Sequence, residues 1–193
     1  MSDRTGTAWL AQSCDDAVFA RLYRRCYRPI RDFCRRRVAS DLVDDAVAET
    51  FLAAWRHLED VPPGDEALVW LYRVAYRVVG HQWRSTARRR RLEARLRSVA
   101  LRPGSAVDES VIDGDDSRLV RVAAARLSDT DADVLRLRAW EQLGITDIAA
   151  VLEIAPNAVK QRLYRAKRNL AREYRRLESR QTSNPDAPKG GAL

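Results

Sequence analysis

The stretch from Trp140 to Leu170, WEQLGITDIAAVLEIAPNAVKQRLYRAKRNL, constrains the fold more tightly than any other. Ile145, Ile148, Ala149 and Leu152 recur at the spacing of one helix face. Glu153-Ile154-Ala155 interrupts them. Pro156 suits the first position of a second helix, where its missing N–H is not needed. Val159, Leu163, Ala166 and Leu170 then share one face. The other carries Asn157, Lys160, Gln161, Arg162, Tyr164, Arg165, Lys167 and Arg168. A short helix, a tight turn and a longer basic helix make a helix-turn-helix, whose second helix would enter a DNA major groove. Asn157 and Gln161 suit adenine edges, and Arg or Lys suits guanine. A surface helix pair with a solvated basic face would have the same composition. Glu153 holds a turn position where Gly is common; a left-handed conformation there costs on the order of 1–2 kcal/mol.

The remaining chain has the same helical periodicity and no strand pattern, so the expected fold is all-α. Met1 to Ser13 shows little periodicity and reads as a flexible lead-in over residues 1–13. Asp15 suits a helix cap. Val18, Phe19, Leu22 and Tyr23 form an apolar stripe; Pro29 should start a new helix or kink the first. Ile30, Phe33, Cys34 and Val38 continue the core face, and Arg35, Arg36 and Arg37 read as a solvated basic helix end.

Asp41 is the expected cap of a third helix, in which Leu42, Ala46, Val47, Thr50, Phe51, Ala54 and Leu58 repeat at helical steps. Asp44, Asp45 and Glu49 fall on a different face. Acidic residues near a helix start suit its macrodipole; they also suit docking of a basic protein partner. Val61-Pro62-Pro63-Gly64-Asp65 marks a loop. The helix from about Glu66 has Leu68, Trp70, Leu71, Val74, Ala75, Val78 and Val79 as core positions. Its polar side mixes Arg73, Tyr76, Arg77, Gln82, Trp83 and Arg84, followed by Arg88 to Arg91, Arg95 and Arg97. Aromatic residues interleaved with arginines can stack on unpaired bases and hold phosphates, although a run of arginines can also simply be solvated.

The charge then reverses. Arg102-Pro103-Gly104 breaks the helix, and Asp108, Glu109, Asp113, Asp115 and Asp116 follow without an intervening base. Residues 99–117 read as a flexible acidic linker. It separates a first helical domain at 14–98 from a second at 118–178. Simple solvation explains such a strand, as does mimicry of nucleic acid in a basic channel. In the second domain, Leu119, Val122, Ala123 and Leu127 mark one helix, and Ser128 with Asp131 resembles a capping box opening the next. Residues 179–193 read as a disordered tail.

A formal charge of +8 points to a polyanionic partner. Lys occurs only at Lys160, Lys167 and Lys189, so Arg dominates the positive charge. The first residues lack a basic region followed by an apolar run, so no secretory signal is expected, and without an apolar stretch of about 18 residues no membrane span is expected. Cys14, Cys26 and Cys34 are odd in number and do not match a zinc spacing with His57 or His81. They read as reduced, buried thiols. With no Gly-rich phosphate loop, metal-spaced cluster or nucleophile–base pair, neither a metal, nor a cofactor, nor catalysis is expected.

Three motifs in this order resemble the sigma-70 family of bacterial sigma factors, in its small extracytoplasmic-function group, over about residues 15–176. They are Asp44-Asp45-Ala46-Val47-Ala48-Glu49-Thr50-Phe51 with Ala54-Trp55-Arg56, then Trp70-Leu71-Tyr72-Arg73-Val74-Ala75 leading into the Arg cluster, then Leu127 to Leu170. The resemblance implies two small helical domains, sigma region 2 and sigma region 4, and a cytoplasmic protein, nucleoid-associated when bound to polymerase. It implies docking on core RNA polymerase through Asp44, Asp45, Val47, Glu49, Thr50 and Phe51. Melting and capture of minus-ten promoter DNA would fall on the 61–67 loop and on Trp70, Arg73, Tyr76, Arg77, Gln82, Trp83, Arg84 and Arg88. The minus-thirty-five element would be read by Pro156, Asn157, Lys160, Gln161, Arg162, Tyr164, Arg165 and Arg168. An anti-sigma factor is an implied partner. The other reading is a helix-turn-helix regulator that is not a polymerase subunit, but such a regulator needs neither the acidic helix nor the aromatic–Arg helix. Departures from the family pattern are Ala48 where Gln is frequent, Tyr76-Arg77 in place of Arg-Asn, Glu153 for the turn Gly, and Ala155 for Ser.

Overall fold

The computed structural model describes residues 4–97 and 115–182. Every regular element among them is helical: α1 (Arg4–Arg35), α2 (Val43–Arg56), α3 (Glu66–Arg97), α4 (Asp115–Ala124), α5 (Asp129–Ala139), α6 (Ile145–Leu152) and α7 (Pro156–Thr182), with short 3-10 turns at Ser40–Leu42 and Leu58–Asp60. None of these helices is long and apolar enough to cross a membrane. The chain divides into two compact units, one built on α1–α3 and the other on α4, α5, α7 and most of α6. The expected linker falls outside the described residues except at 115–117, where α4 has already begun; residues 183–193 of the expected tail lie outside them too.

In the first unit each helix packs on the other two. Leu22, Cys26, Ile30, Phe33 and Cys34 bury one face of α1; Ala46, Val47, Phe51 and Ala54 bury one face of α2; Leu71, Ala75, Val78 and Val79 bury one face of α3. Both Cys26 and Cys34 are free thiols in this core, and burial pushes the Cys34 thiol up to about 12. An aromatic cluster closes one side: Phe51 lies 4.7 Å from Tyr23 and 6.4 Å from Phe19 between ring centroids, and Phe19 meets Trp55 edge-on at 5.0 Å.

Four expectations about helix ends change. The helix α1 starts at Arg4, so Asp15 lies inside it rather than capping it. Once a helix is nucleated, each further residue adds a hydrogen bond at little cost. The same helix runs through Pro29, so no new helix starts there. A proline inside a helix costs roughly 3 kcal/mol; Cys26, Ile30 and Phe33, all fully buried around it, hold the helix in place. Asp41 sits in a 3-10 turn, and the residue before α2 is Leu42, which makes no side-chain cap. Asp44 and Asp45 in the first turn of α2 meet its dipole instead. Finally, α7 continues to Thr182, into the stretch expected to be a tail.

Arg37 is not the solvated end expected of it. It is only 4% exposed, its guanidinium lies 3.7 Å from the Phe33 ring centroid, and it donates to the Phe33 carbonyl. A desolvated guanidinium over an aromatic face is favourable, and the same group serves a carbonyl at the end of α1.

The core of the second unit comes from Leu119 and Ala123 of α4, Val134 and Leu137 of α5, Ile148 of α6, and Val159 and Ala166 of α7. Val122 is instead exposed. The hydroxyl of Ser128 accepts from the Asp131 N–H and starts α5 as expected. Gln142 adopts a left-handed conformation (φ 56°), anchored by its amide on the Ala139 carbonyl. Asp147 then accepts from the Gly144 N–H and opens α6.

Candidate polymerase and nucleic-acid interfaces

The face of α2 that does not enter the core presents Asp44, Asp45, Ala48, Glu49 and Leu52 to solvent. Asp45, Glu49 and Leu52 follow one another at four- and three-residue steps, so they form a single ridge. Val47, Thr50 and Phe51, assigned to the same surface from the motif, are instead buried. Phe51 is the centre of the aromatic cluster, and Thr50 donates its hydroxyl to the Ala46 carbonyl within the helix. A motif spanning consecutive helical residues necessarily includes both faces. Only the outward half can touch a partner. Leu52, 46% exposed, escaped the sequence reading because it looks like one more core residue. Its position one turn after Glu49 was the available signal.

On α3, Trp70, Arg73, Tyr76, Arg77, Trp83 and Arg84 fall along one side of the helix by their spacing, and the Arg88 side chain lies outside those described. Arg77, Trp83 and Arg84 are exposed, while Trp70, Arg73 and Tyr76 are half-buried. Trp83 donates its indole N–H to the Arg37 carbonyl at 2.7 Å, which fixes the ring against the end of α1. Gln82 differs from the others. It stands four, seven and eleven residues after Val78, Ala75 and Leu71, all buried, so it shares their inward side. Its buried Oε1 has no hydrogen-bond partner among the described residues. A direct contact from Gln82 to DNA is therefore not supported, because helical phase turns it toward the core.

The third surface lies on α7. The turn before it is a left-handed helix stop. Glu153 has φ 55°, and the Ile154 N–H donates to the Ala149 carbonyl at 3.1 Å, the wide bond of a Schellman motif. Ala155 opens α7 without a side-chain cap, since its methyl has no acceptor; its carbonyl takes the Val159 N–H. Val159 and Ala166 are fully buried, which fixes the helix phase. Pro156, Asn157, Lys160, Gln161, Tyr164, Arg165 and Arg168 are then exposed, with Arg162 half-buried. Tyr164 is 71% exposed, the largest figure among the exposed large hydrophobic side chains described.

Arg165 is held in a way the sequence did not show. Its Nε donates to Asp131 Oδ2 at 3.0 Å and its Nη2 to Asp131 Oδ1 at 2.9 Å. The Asp131 side chain is 4% exposed, whereas that of Arg165 is 52% exposed. These hydrogen bonds hold the Asp131 carboxyl below the usual carboxylate range and push the arginine further up. Beyond the recognition segment, Arg126 in the turn after α4 pairs with Glu173 of α7 at 3.0 Å and lowers that carboxyl as well. No cluster that could hold a metal ion occurs among the described residues.

Comparison with known proteins agrees with both ends of the chain. The family model "Sigma-70 region 2" matches residues 22–89, and "Sigma-70, region 4" matches residues 117–170. The RNA polymerase sigma factor CnrH of Cupriavidus metallidurans is 31% identical over 67% of this chain and 71% of its own. The ECF RNA polymerase sigma-E factor of Haemophilus influenzae is 24% identical over 81% of this chain and 87% of its own. Among solved structures, the sigma factor RpoE of Bartonella quintana, determined in complex with the anti-sigma factor NepR, has a TM-score of 0.59 at 20% identity; 81% of this chain and 96% of that one are covered, and the likeness is one of fold. With an acidic ridge, an aromatic–arginine helix and a basic recognition helix in the family's order, the chain belongs to the sigma-70 family as an ECF sigma factor and directs transcription initiation by RNA polymerase.

Proposed function

We propose that the three surfaces divide the work of initiation. The α2 ridge of Asp44, Asp45, Glu49 and Leu52 docks on core polymerase, with carboxylates steering a basic partner and Leu52 supplying apolar contact. On α3, Trp70, Arg73, Tyr76, Arg77, Trp83, Arg84 and Arg88 hold the opened minus-ten strand. Half-buried aromatic rings give extruded bases a stacking surface, which offsets the few kcal/mol lost on unstacking. The recognition segment of α7 reads the minus-thirty-five duplex through Asn157, Lys160, Gln161, Tyr164 and Arg168. The chain itself catalyses nothing. It works in the cytoplasm and on the nucleoid when bound to polymerase, and an anti-sigma factor, as in the Bartonella complex, restrains it.

The observation that carries this reading is the outward phase of the α7 residues around fully buried Val159 and Ala166. The experiment is transcription in vitro from a promoter library with core polymerase and three variants. Asp45→Arg/Glu49→Arg should lower output from every promoter alike. Trp70→Ala/Arg77→Ala should change the selected minus-ten sequence, and Gln161→Ala/Arg168→Ala the minus-thirty-five sequence. A Gln161→Ala/Arg168→Ala protein that selects the wild-type minus-thirty-five sequence would sink the α7 assignment. Specific DNA binding without transcription would favour a simple regulator.

A further inference from the structure

We infer that Arg165 and Asp131 form a positioning pair: the ion pair sets the rotation of the recognition helix, so Arg165 governs minus-thirty-five discrimination without itself neutralising a phosphate. The inference rests on the reading that α7 enters the groove.

The geometry supports it from both sides. Asp131 is nearly inaccessible and sits at the third residue of α5, whose start is fixed by the Ser128 cap. Both its oxygens receive a hydrogen bond from Arg165. Two parallel bonds to a planar fork fix orientation as well as distance, which one bond to a lysine would not do. Arg165 therefore links α7 to α5 at a defined angle. Its neighbours along the helix are the residues proposed to read bases. Gln161 lies one turn before it, and Tyr164 and Arg168 lie within one turn of it. A small rotation of α7 would move all of them relative to the base edges, and paired hydrogen bonds to a base tolerate little displacement. The charge balance points the same way. A guanidinium already paired with a carboxylate presents little net charge, so it adds little to the counterion release that drives phosphate binding.

The test uses full-length protein in holoenzyme, on a promoter selected for the wild type and on the same promoter with a scrambled minus-thirty-five element. Affinity for both is measured across a salt series, well below the melting temperature of each variant. Asp131→Asn and Arg165→Gln should each cut the discrimination ratio roughly tenfold, and the double variant should lose no more than either single one. The salt slope of Arg165→Gln should match wild type. A purely structural pair would lower the melting temperature and leave discrimination unchanged, which overturns the inference. A slope reduced by about 0.9 in Arg165→Gln, with Asp131→Asn unaffected, also overturns it and makes Arg165 a phosphate contact. Gln161→Ala separates the two levels. If it too leaves discrimination intact, α7 does not read the element; if it abolishes discrimination while the pair variants do not, only the positioning role fails.

Discussion

Arg165 and Asp131 stand 34 residues apart in the chain, yet they meet through two hydrogen bonds of 3.0 and 2.9 Å. The arginine belongs to the basic recognition helix and, from sequence, is expected among the residues that read the minus-thirty-five element. Its buried partner changes its role, because a guanidinium held by a carboxylate orients the helix that carries it. The same relationship makes the second unit sensitive to acid.

That sensitivity has a definite sign. Asp131 is lowered from its ordinary value of 3.8 chiefly by the Arg165 hydrogen bond, and Glu173 from 4.5 chiefly by the Arg126 hydrogen bond. A carboxyl lowered in the folded state favours folding when ionised. The benefit is complete above the ordinary values and disappears as pH falls through the lower, folded-state ones. Thermal melts of the second unit should therefore be flat down to about pH 5 and fall steeply below about pH 4. Asp131→Asn should lower stability at neutral pH by about 1–2 kcal/mol, since a hydrogen bond to a charged group is lost at a half-exposed pair. It should also shrink the acid-induced drop. An unchanged drop would show that this carboxyl does not control it.

Separating docking from folding on α2 makes a second prediction. Phe51→Ala should destabilise the first unit by about 3–5 kcal/mol, measured by urea unfolding, because a ring only 4% exposed leaves a cavity in the aromatic cluster. Leu52→Ala should change stability by no more than about 0.5 kcal/mol, and Asp45→Arg/Glu49→Arg should cost only about 1 kcal/mol, through the charge reversed at the start of α2. Both should nevertheless weaken core-polymerase binding in a pull-down or titration. Wild-type affinity in the Asp45→Arg/Glu49→Arg protein would remove α2 from the docking surface.

Glu153 is a non-glycine residue at φ 55°, in the turn before the recognition helix. Left-handed backbone costs a residue with a Cβ about 1–2 kcal/mol, and glycine gives back part of that in unfolded-chain entropy. Glu153→Gly should still raise the stability of the protein by roughly 0.5–1 kcal/mol, read as a higher melting midpoint, because the exposed ion pair it gives up with Arg77 contributes little. A lower midpoint would mean that the glutamate side chain contributes more than the strain it imposes.

On α3, Arg84→Ala should leave folding intact, since the side chain is exposed. If Arg84 lies on a phosphate of the opened strand, the salt slope of binding to single-stranded minus-ten DNA by holoenzyme should fall by about 0.7. Gln82→Ala should leave that slope untouched, because Gln82 faces inward. Equal slopes for Arg84→Ala and wild type would exclude the phosphate contact.

Periodicity alone determined a good deal of this protein. The three- and four-residue recurrence of apolar side chains specified helices, their order and the faces they bury, because every helical residue is placed by its phase about the axis. The motifs specified the family. Phase also held the signal that Gln82 turns inward and Leu52 outward, although a motif read as a continuous string hides it. Tertiary structure alone decided which charged and aromatic side chains are spent inside the molecule. The Trp83 indole N–H is taken up by the Arg37 carbonyl, 46 residues away in the chain. Arg165 is taken by Asp131. Pairings of this kind depend on how helices distant in sequence come to pack, and no local pattern encodes that.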